Sequence, residues 1–239
     1  MNLPIRDELR NVSPYGAPQI DVPVKLNTNE NPYSPPAALV EAIAKNVAKI
    51  GTSLNRYPDR DAVELRAGLA EYIIRESRTT VSHEQIWAAN GSNEIMLQIL
   101  QAFGGPGRKA LTFSPTYSMY AEYARDTNTE FVAVARREDF SVDAELIVSA
   151  MTIHRPNVIF LASPNNPTGT AMDLDVLDVV LKAAPNTIVV VDEAYVDFGA
   201  ETAVPLVKNH PNLLVVQTFS KSRALAGLRV GFAIGQPEL

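Results

Sequence analysis

Short apolar runs alternate with amphipathic segments along most of the chain, and this alternation predicts its fold. Apolar runs of four or five residues are typical of strands that are buried in a sheet. One of them, residues 187–191, consists entirely of β-branched residues. The runs that predict strands are 86–89, 110–113, 131–134, 158–162, 187–191, 213–216 and 230–234.

The segments between these runs have the spacing of amphipathic helices. We predict helices at 93–103, 117–125, 143–151 and 173–183, and Asp59 can cap a further helix that ends near Ile74. Gly104 and Gly105 are suited to end the 93–103 helix. Strands that alternate with helices of this length predict an α/β fold with a mostly parallel, doubly wound sheet.

Residues 1–36 lack this periodicity and are rich in proline and asparagine. Pro32, Pro35 and Pro36 would break any helix in this stretch. We therefore expect an extended N-terminal arm with turns before the first helix.

Composition and charge exclude several classes of function. The net charge is −6 and the 21 basic residues are scattered, so a nucleic-acid partner is not expected. The chain has no cysteine, and its three histidines, His83, His154 and His210, fit no short metal-ligand spacing. No apolar run has membrane-spanning length and no signal-like core follows Met1, so we expect a cytoplasmic protein without a membrane partner.

Polar residues follow several of the predicted strands, where open α/β sheets place their ligands. Gly91, Ser92 and Asn93 join a strand to a helix, and free N–H groups at a helix start can bind an anion such as phosphate. Most such turns merely begin a helix, so this signal is weak by itself. A second turn, residues 163–169, holds two prolines and a glycine and would present the Asn166 amide to a ligand.

Asp192 comes directly after the most apolar strand, where a carboxylate is costly to bury without a partner. An Asp-Glu pair that binds Mg²⁺ in a nucleotide hydrolase is one alternative, but the chain has no phosphate-binding Gly-Lys-Ser/Thr loop. A protonated pyridine nitrogen fits better, because Asp192 would then make the ring an electron acceptor. Tyr195 could hydrogen-bond the hydroxyl of the same ring.

Lys221 follows the strand at 213–216, and an amine in such a cleft can lose its proton and attack a carbonyl. Ser220 and Arg229 flank it and could bind a phosphate. Separately, Lys221 would be read as a surface lysine and Arg229 as part of a surface ion pair. Together with Asn166 and Asp192, they indicate a site for a phosphorylated, electron-accepting ring.

These motifs resemble those of the fold-type I aminotransferases that use pyridoxal 5′-phosphate, and in particular the histidinol-phosphate aminotransferases. The resemblance runs over essentially the whole chain. Its specific stretches are 26–33, 55–59, 89–94, 114–120, the Asn166 and Asp192 turns, and 221–231. It implies an extended arm and part of a small domain at 1–58, and at 59–239 a cofactor-binding large domain with a seven-stranded sheet covered by helices on both faces.

The resemblance also implies the role of each residue. Lys221 would form the Schiff base and move the proton, and Asp192 would pair with the ring nitrogen. Tyr195 and Asn166 would bond the ring oxygen, and Tyr117 would stack on the ring. The remaining roles are a phosphate site at Gly91, Ser92, Asn93, Ser220 and Arg229, a reach of Tyr57 into the site of the second subunit of a homodimer, and substrate contacts of Tyr33, Asn31 and Tyr57.

The activity implied is amino transfer between histidinol phosphate and 2-oxoglutarate, which gives imidazole-acetol phosphate and glutamate in histidine biosynthesis. The family continues past the position of Leu239 into a smaller C-terminal domain that supplies substrate-binding arginines. From this chain alone we therefore expect cofactor binding with poor or no turnover. Transfer from aromatic amino acids is the nearest alternative, followed by a decarboxylase of similar sequence and a non-catalytic cofactor-binding module. A nucleotide-binding module fits least.

Overall fold

A computed structural model describes residues 4–10, 12–13, 16, 18 and 20–239. Of the predicted arm, residues 1–3, 11, 14, 15, 17 and 19 lie outside the described residues. In the described part of the chain, the helices are α1 (Ala37–Gly51), α2 (Val63–Ser77), α3 (Ser92–Phe103), α4 (Met119–Asp126), α5 (Ala144–His154) and α6 (Leu174–Ala183). The strands there are β1 (Ile86–Ala89), β2 (Lys109–Ser114), β3 (Glu130–Ala135), β4 (Val158–Ala162), β5 (Ile188–Asp192), β6 (Leu213–Thr218) and β7 (Gly231–Ile234).

The strands form one sheet in the order β1-β7-β6-β5-β4-β2-β3. β7 is antiparallel to both of its neighbours, β1 and β6, and the other neighbouring pairs are parallel. The mostly parallel α/β sheet predicted from the sequence is therefore confirmed. Because β7 is reversed, its first residue lies at the same edge as the last residues of the six other strands.

Helices cover both faces of this sheet, and alternate strand residues point to the two sides. On one face, Val189 and Val191 pack in a buried cluster with residues of α2, α5 and α6. On the other face, Val190 packs with residues of α3 and α4. β4 and β5 are buried nearly throughout, which explains why their sequences are apolar without alternation.

The predicted helices are present with small shifts in their bounds, and aspartates lie at three of their starts. Asp143 and Asp173 are the N-cap residues of α5 and α6, and each carboxylate accepts a hydrogen bond from a backbone N–H in the first turn. The N-cap position of α2 is Ala62 rather than the predicted Asp59, but the carboxylate of Asp59 still accepts from the N–H of Val63, the first residue of the helix, at 2.8 Å. α4 begins at Met119, two residues later than the predicted start.

The pattern did not predict α1, which begins directly after the last proline of the arm. Pro36 occupies its N-cap, and the Pro36 carbonyl accepts from the N–H groups of Leu39 and Val40. A proline costs little at the start of a helix, because the first N–H groups have no partner within the helix. None of the residues of α1 is buried, so this helix makes no contribution to the core of the described chain.

Among the described residues, no helix has both the length and the apolar character needed to cross a membrane.

Candidate active site

A cavity of about 610 Å³ opens at the edge of the sheet where the parallel strands end. Most residues that the sequence marked as functional line it, although they come from five separate turns. The lining includes Ser92, Asn93, Tyr117, Asn166, Asp192, Tyr195, Ser220, Lys221 and Arg229. Residues of the arm, 27–30, complete the wall.

One end of the cavity is a cradle formed by the start of α3 and by Arg229. Gly91 is the N-cap of α3 and has a φ of +90°, which favours glycine. A Cβ on Gly91 would lie 2.4 Å from Nη2 of Arg229, and one on Gly231 would lie 2.2 Å from the backbone nitrogen of Ser92. The glycines therefore allow the guanidinium and β7 to approach the helix start closely.

The Arg229 guanidinium is held in this cradle by the backbone. Its Nη2 donates to the carbonyl of Asn90 at 3.2 Å, and its Nη1 donates to the carbonyl of Ala226 at 3.1 Å. The Ser220 hydroxyl lies on the same side of the cavity and accepts from Thr218 at 3.0 Å. A guanidinium, a hydroxyl and a helix start together suit a phosphate group.

Asp192 supplies a buried carboxylate, with only 6% of its surface exposed. The Tyr120 hydroxyl donates to its Oδ2 at 2.7 Å, and the Ala194 N–H donates to its Oδ1 at 3.1 Å. Burial raises the pKa of Asp192, while these two donors and the charge of Lys221 oppose the increase. A carboxylate has more acceptor positions than these two donors fill, so a cationic N–H in the cavity could stabilise its ionised form.

Lys221 supplies a half-buried amine. Its Nζ donates to the carbonyls of Asn29 at 3.2 Å and Thr28 at 3.4 Å, and lies 5.7 Å from the centre of the Tyr195 ring. Burial lowers the pKa of Lys221; Glu30 and Asp192 oppose that change and Arg229 adds to it. A lowered pKa makes the neutral, nucleophilic amine easier to reach.

Two further side chains, which the sequence predicted to contact a ring oxygen, line the same cavity. The Tyr195 hydroxyl accepts from Nδ2 of Asn29 at 2.9 Å, and burial raises the pKa of Tyr195. Asn166 lines the cavity between Pro164 and Pro167.

Tyr117 also lines the cavity, and its ring meets that of Tyr120 edge to face at a centroid distance of 5.6 Å. Its hydroxyl donates to Oδ1 of Asn93 at 3.3 Å. Tyr120 in turn stacks on Phe160 of β4, so the Tyr117 ring rests on a buried aromatic pair.

The residues predicted to contact substrate, Asn31, Tyr33 and Tyr57, differ in exposure and in hydrogen bonding. Nδ2 of Asn31 donates to the carbonyls of Lys221 and Ser222, both at 3.2 Å, so it holds the backbone of the lysine segment. Tyr33 is 80% exposed and Tyr57 is fully exposed, and neither lines the cavity of its own chain. Their substrate and inter-subunit roles stay predictions.

Sequence reasoning missed Tyr120, which hydrogen-bonds Asp192, and Asn165, which holds together the turns that line the cavity. Asn165 is buried and bridges two turns: its Nδ2 donates to the carbonyl of Pro115 and to the Thr168 hydroxyl, and its Oδ1 accepts from Thr116. The helix predicted from residue 117 would place Tyr120 on the same face as Tyr117, which was a usable signal, although α4 itself begins only at Met119.

Glu193 is a second buried carboxylate, directly after Asp192, and it anchors the loop that carries Tyr195. Its oxygens accept from the N–H of Ala203 at 2.6 Å and from the side chains of Thr202 and Gln217, each at 2.7 Å. Burial raises the pKa of Glu193 to about 7, and the charge of Asp192 adds to the effect while the donors oppose it.

Glu193→Gln is expected to reduce the pH dependence of folding stability. Between pH 4.5 and about 7, the folded protein holds a proton at Glu193 that the unfolded chain has released. The stabilisation from protonated Glu193 is therefore full below the ordinary pKa of 4.5 and is lost as the pH rises through about 7. Across that window the contribution falls by about 3 kcal/mol. The urea midpoint of the variant minus that of wild type should therefore be larger at pH 8 than at pH 5.

Glu201→Gln, an exposed change on the same loop, is the matched control for this comparison. If Glu193→Gln alters the free energy of unfolding equally at both pH values, Glu193 does not titrate as described.

Comparison with known proteins agrees with this architecture. The chain matches the family model for class I and II aminotransferases over residues 21–239. The fold and the site thus define a class, and the chain belongs to the family of class I and II aminotransferases.

Among curated relatives, the chain is 52% identical to the histidinol-phosphate aminotransferase of Thermobifida fusca, over 99% of this chain and 64% of the relative. It therefore spans slightly under two thirds of that relative's length. An aspartate aminotransferase from Thermus thermophilus, solved with maleate, superposes with a TM-score of 0.78 at 28% identity, over 89% of this chain and 56% of that one.

A Sinorhizobium meliloti histidinol-phosphate aminotransferase in complex with pyridoxal 5′-phosphate has the same fold. It superposes with a TM-score of 0.75 at 24% identity, over 88% of this chain and 56% of that one.

The residues of the cavity fit pyridoxal 5′-phosphate, the cofactor that the family resemblance implies. The glycine-lined cradle beside Arg229 suits the phosphate, and buried Asp192 suits a protonated ring nitrogen. The Lys221 amine lies in the same cavity and can reach an aldehyde, and Tyr195 and Asn166 offer donors for a ring oxygen.

Proposed function

We propose that this chain binds pyridoxal 5′-phosphate and forms the cofactor domain of a histidinol-phosphate aminotransferase. The observation that carries the proposal is the presence of three complementary groups in one cavity: the Lys221 amine, the buried Asp192 carboxylate and the Arg229 cradle. The 52% identity to a curated histidinol-phosphate aminotransferase supports the choice of substrate. Glutamate and 2-oxoglutarate are the proposed partners in the exchange.

When bound, pyridoxal 5′-phosphate supplies an aldehyde for amines and a ring that accepts electrons from the substrate carbon. Asp192 would hold a proton on the ring nitrogen, and burial makes that interaction strong. The cradle of α3, Ser220 and Arg229 would bind the phosphate. Tyr195 and Asn166 would orient the ring through its oxygen, and Tyr117 would cover its face.

Lys221 would carry out the proton transfers. Its Nζ, when neutral, can take a proton from the α-carbon of the substrate and can return one in the second half of the exchange. The half-buried position favours this by lowering the pKa of the amine. Asn31 fixes the backbone at Lys221, so the amine acts from a defined place.

The proposal is tested by loading the 239-residue chain with pyridoxal 5′-phosphate and following its visible absorbance. We expect a band that borohydride fixes to the Lys221 peptide, as read by mass spectrometry. Conversion of the band to that of the aminated cofactor should be slow in this chain alone, and faster with histidinol phosphate than with phenylalanine. A folded chain that shows no band would refute cofactor binding, and faster conversion by phenylalanine would favour an aromatic amino-acid aminotransferase.

A homodimer is part of the proposal. Tyr57 and Leu54 are largely or fully exposed beside α1, and an aromatic ring that contacts nothing in its own chain is available to a second copy. Sedimentation equilibrium measures the assembly directly, and a monomer at all concentrations would remove Tyr57 from the site.

A further inference from the structure

Arg223 lies two residues after Lys221 and contacts two other parts of the chain. Its Nε donates to the hydroxyl of Tyr72 at 3.0 Å, and its Nη2 donates to Oε2 of Glu76 at 3.0 Å, both on α2. Nη2 also donates to Oδ1 of Asp197 at 3.3 Å, and Asp197 accepts a second hydrogen bond from the Ser222 hydroxyl. We call Tyr72, Glu76, Asp197, Ser222 and Arg223 the Arg223 clamp.

The clamp also has an aromatic side. The guanidinium carbon of Arg223 lies 5.3 Å from the centre of the Tyr72 ring. The same ring meets Phe219 edge to face at 5.3 Å, and Phe219 lies two residues before Lys221. Phe219 and Arg223, which lie on either side of Lys221 in the sequence, therefore both contact Tyr72 of α2.

Asp197 brings a second loop into the clamp. It belongs to the 3-10 turn Val196–Phe198, which directly follows Tyr195. The loops that carry Lys221 and Tyr195 are thus joined to each other by Asp197 and joined to α2 by Arg223.

The Lys221 segment needs such a tie because little regular structure supports it. Between the end of β6 at Thr218 and the start of β7 at Gly231, the only helical element is the 3-10 turn Ala226–Leu228. Backbone bonds join Phe219 to Val230, Leu225 to Phe219 and Ala224 to Lys221. The hydrogen bonds that tie residues 220–224 to α2 and to the Asp197 turn come from side chains.

We propose that Arg223 is a positioning residue that fixes the Lys221 amine relative to Tyr195 by fastening both loops to α2. The inference rests on the proposed function for its consequence in catalysis, but not for its geometry. An exposed ion pair alone would be worth little. The Arg223 side chain here is 35% exposed, and its guanidinium donates to three partners at once, a geometry that a lysine ammonium cannot reproduce.

The pKa of Lys221 reports the position of its amine. Burial is the main cause of its lowered pKa, and the charges that act on it are Glu30, Asp192 and Arg229. Arg223 is not among these causes. A change in the pKa on loss of the clamp would therefore reflect movement of the amine into water.

The test uses the chain without cofactor. Acetic anhydride labels amines across a pH series, and mass spectrometry reads the Lys221 peptide against Lys109 as an internal reference. In Arg223→Met we expect the apparent pKa of Lys221 to rise towards its ordinary value, because the amine becomes more exposed to water. Tyr72→Phe, which changes no charge, should move it in the same direction by less, and Arg223→Lys should restore only part of the wild-type value.

Arg75→Met is the matched control, since Arg75 is an exposed arginine on the same helix and makes none of these contacts. Circular dichroism and thermal unfolding establish that each variant is folded. If both Arg223→Met and Tyr72→Phe leave the Lys221 pKa at the wild-type value, the inference is wrong. Should Arg223→Met fail to fold, Tyr72→Phe decides the question.

A second measurement separates this inference from the proposed function. With pyridoxal 5′-phosphate added, Arg223→Met should weaken cofactor affinity by about tenfold, equivalent to about 1.4 kcal/mol, and shift the pH midpoint of the absorbance band. If wild type itself binds no cofactor, the proposed function fails. The acetylation series then still decides whether the clamp positions Lys221.

Discussion

Lys221→Arg is expected to abolish the borohydride-trapped adduct with pyridoxal 5′-phosphate and to lower amino transfer by at least about 10²- to 10⁴-fold. Arginine keeps the positive charge but stays protonated, so it can neither attack an aldehyde nor accept a proton from the substrate carbon. The change keeps the hydrogen bonds to the arm within reach, so the fold should be retained. Absorbance, adduct mass and single-turnover rate are the three measurements.

Lys208→Arg is the control for this substitution, because Lys208 is exposed and remote from the cavity. An adduct of full yield in Lys221→Arg would show that another lysine is labelled. Retention of the rate in that variant would remove Lys221 from the proton transfers.

Asp192→Asn is expected to lower the rate by about 10²- to 10³-fold, the usual cost of losing one preorganised electrostatic contact in a buried site. The amide has the size of the carboxylate but no charge, so it cannot keep a proton on a pyridine nitrogen. Stability should change little or rise, because the burial that raises the pKa of Asp192 no longer acts on an ionisable group. Urea unfolding and the single-turnover rate measure the two effects separately.

Asp175→Asn, an exposed change at the start of α6, controls for charge alone. A rate within threefold of wild type in Asp192→Asn, with cofactor bound, would contradict the role given to this carboxylate.

The fold could be predicted from local patterns, because each buried strand and its following helix carry their own signal. The seven strands are present, and Asp143, Asp173 and Asp59 accept hydrogen bonds from N–H groups at helix starts as their chemistry predicts. The reversed direction of β7 could not be predicted in this way. The direction of β7 depends on pairing with β1, which lies more than a hundred residues earlier in the sequence. An apolar run has the same pattern whichever way its strand runs in the sheet.

The residues of the candidate site were predictable for a related reason. Parallel strands end at one edge, so polar residues that follow different strands must meet there. Contacts between distant side chains left no such signal: Tyr120 to Asp192, Asn29 to Tyr195 and Arg223 to Tyr72 each join residues 72 or more positions apart. Exposed Tyr33 and Tyr57 show the limit of single-chain reasoning, since neither lines the cavity of its own chain and the contact proposed for Tyr57 is with a second copy.

The reversed strand has a consequence for how this chain can vary in length. Because β6 and β7 are antiparallel, the chain between them never leaves the cavity edge, and Thr218 faces Gly231 across the ladder. A parallel strand would instead require a crossover to the opposite edge. An inserted or deleted residue between Lys221 and Arg229 therefore changes the length of chain that links the two side chains at the cavity. Loops at the far edge, such as the one around Pro156, can change length while the amine and the guanidinium keep their spacing.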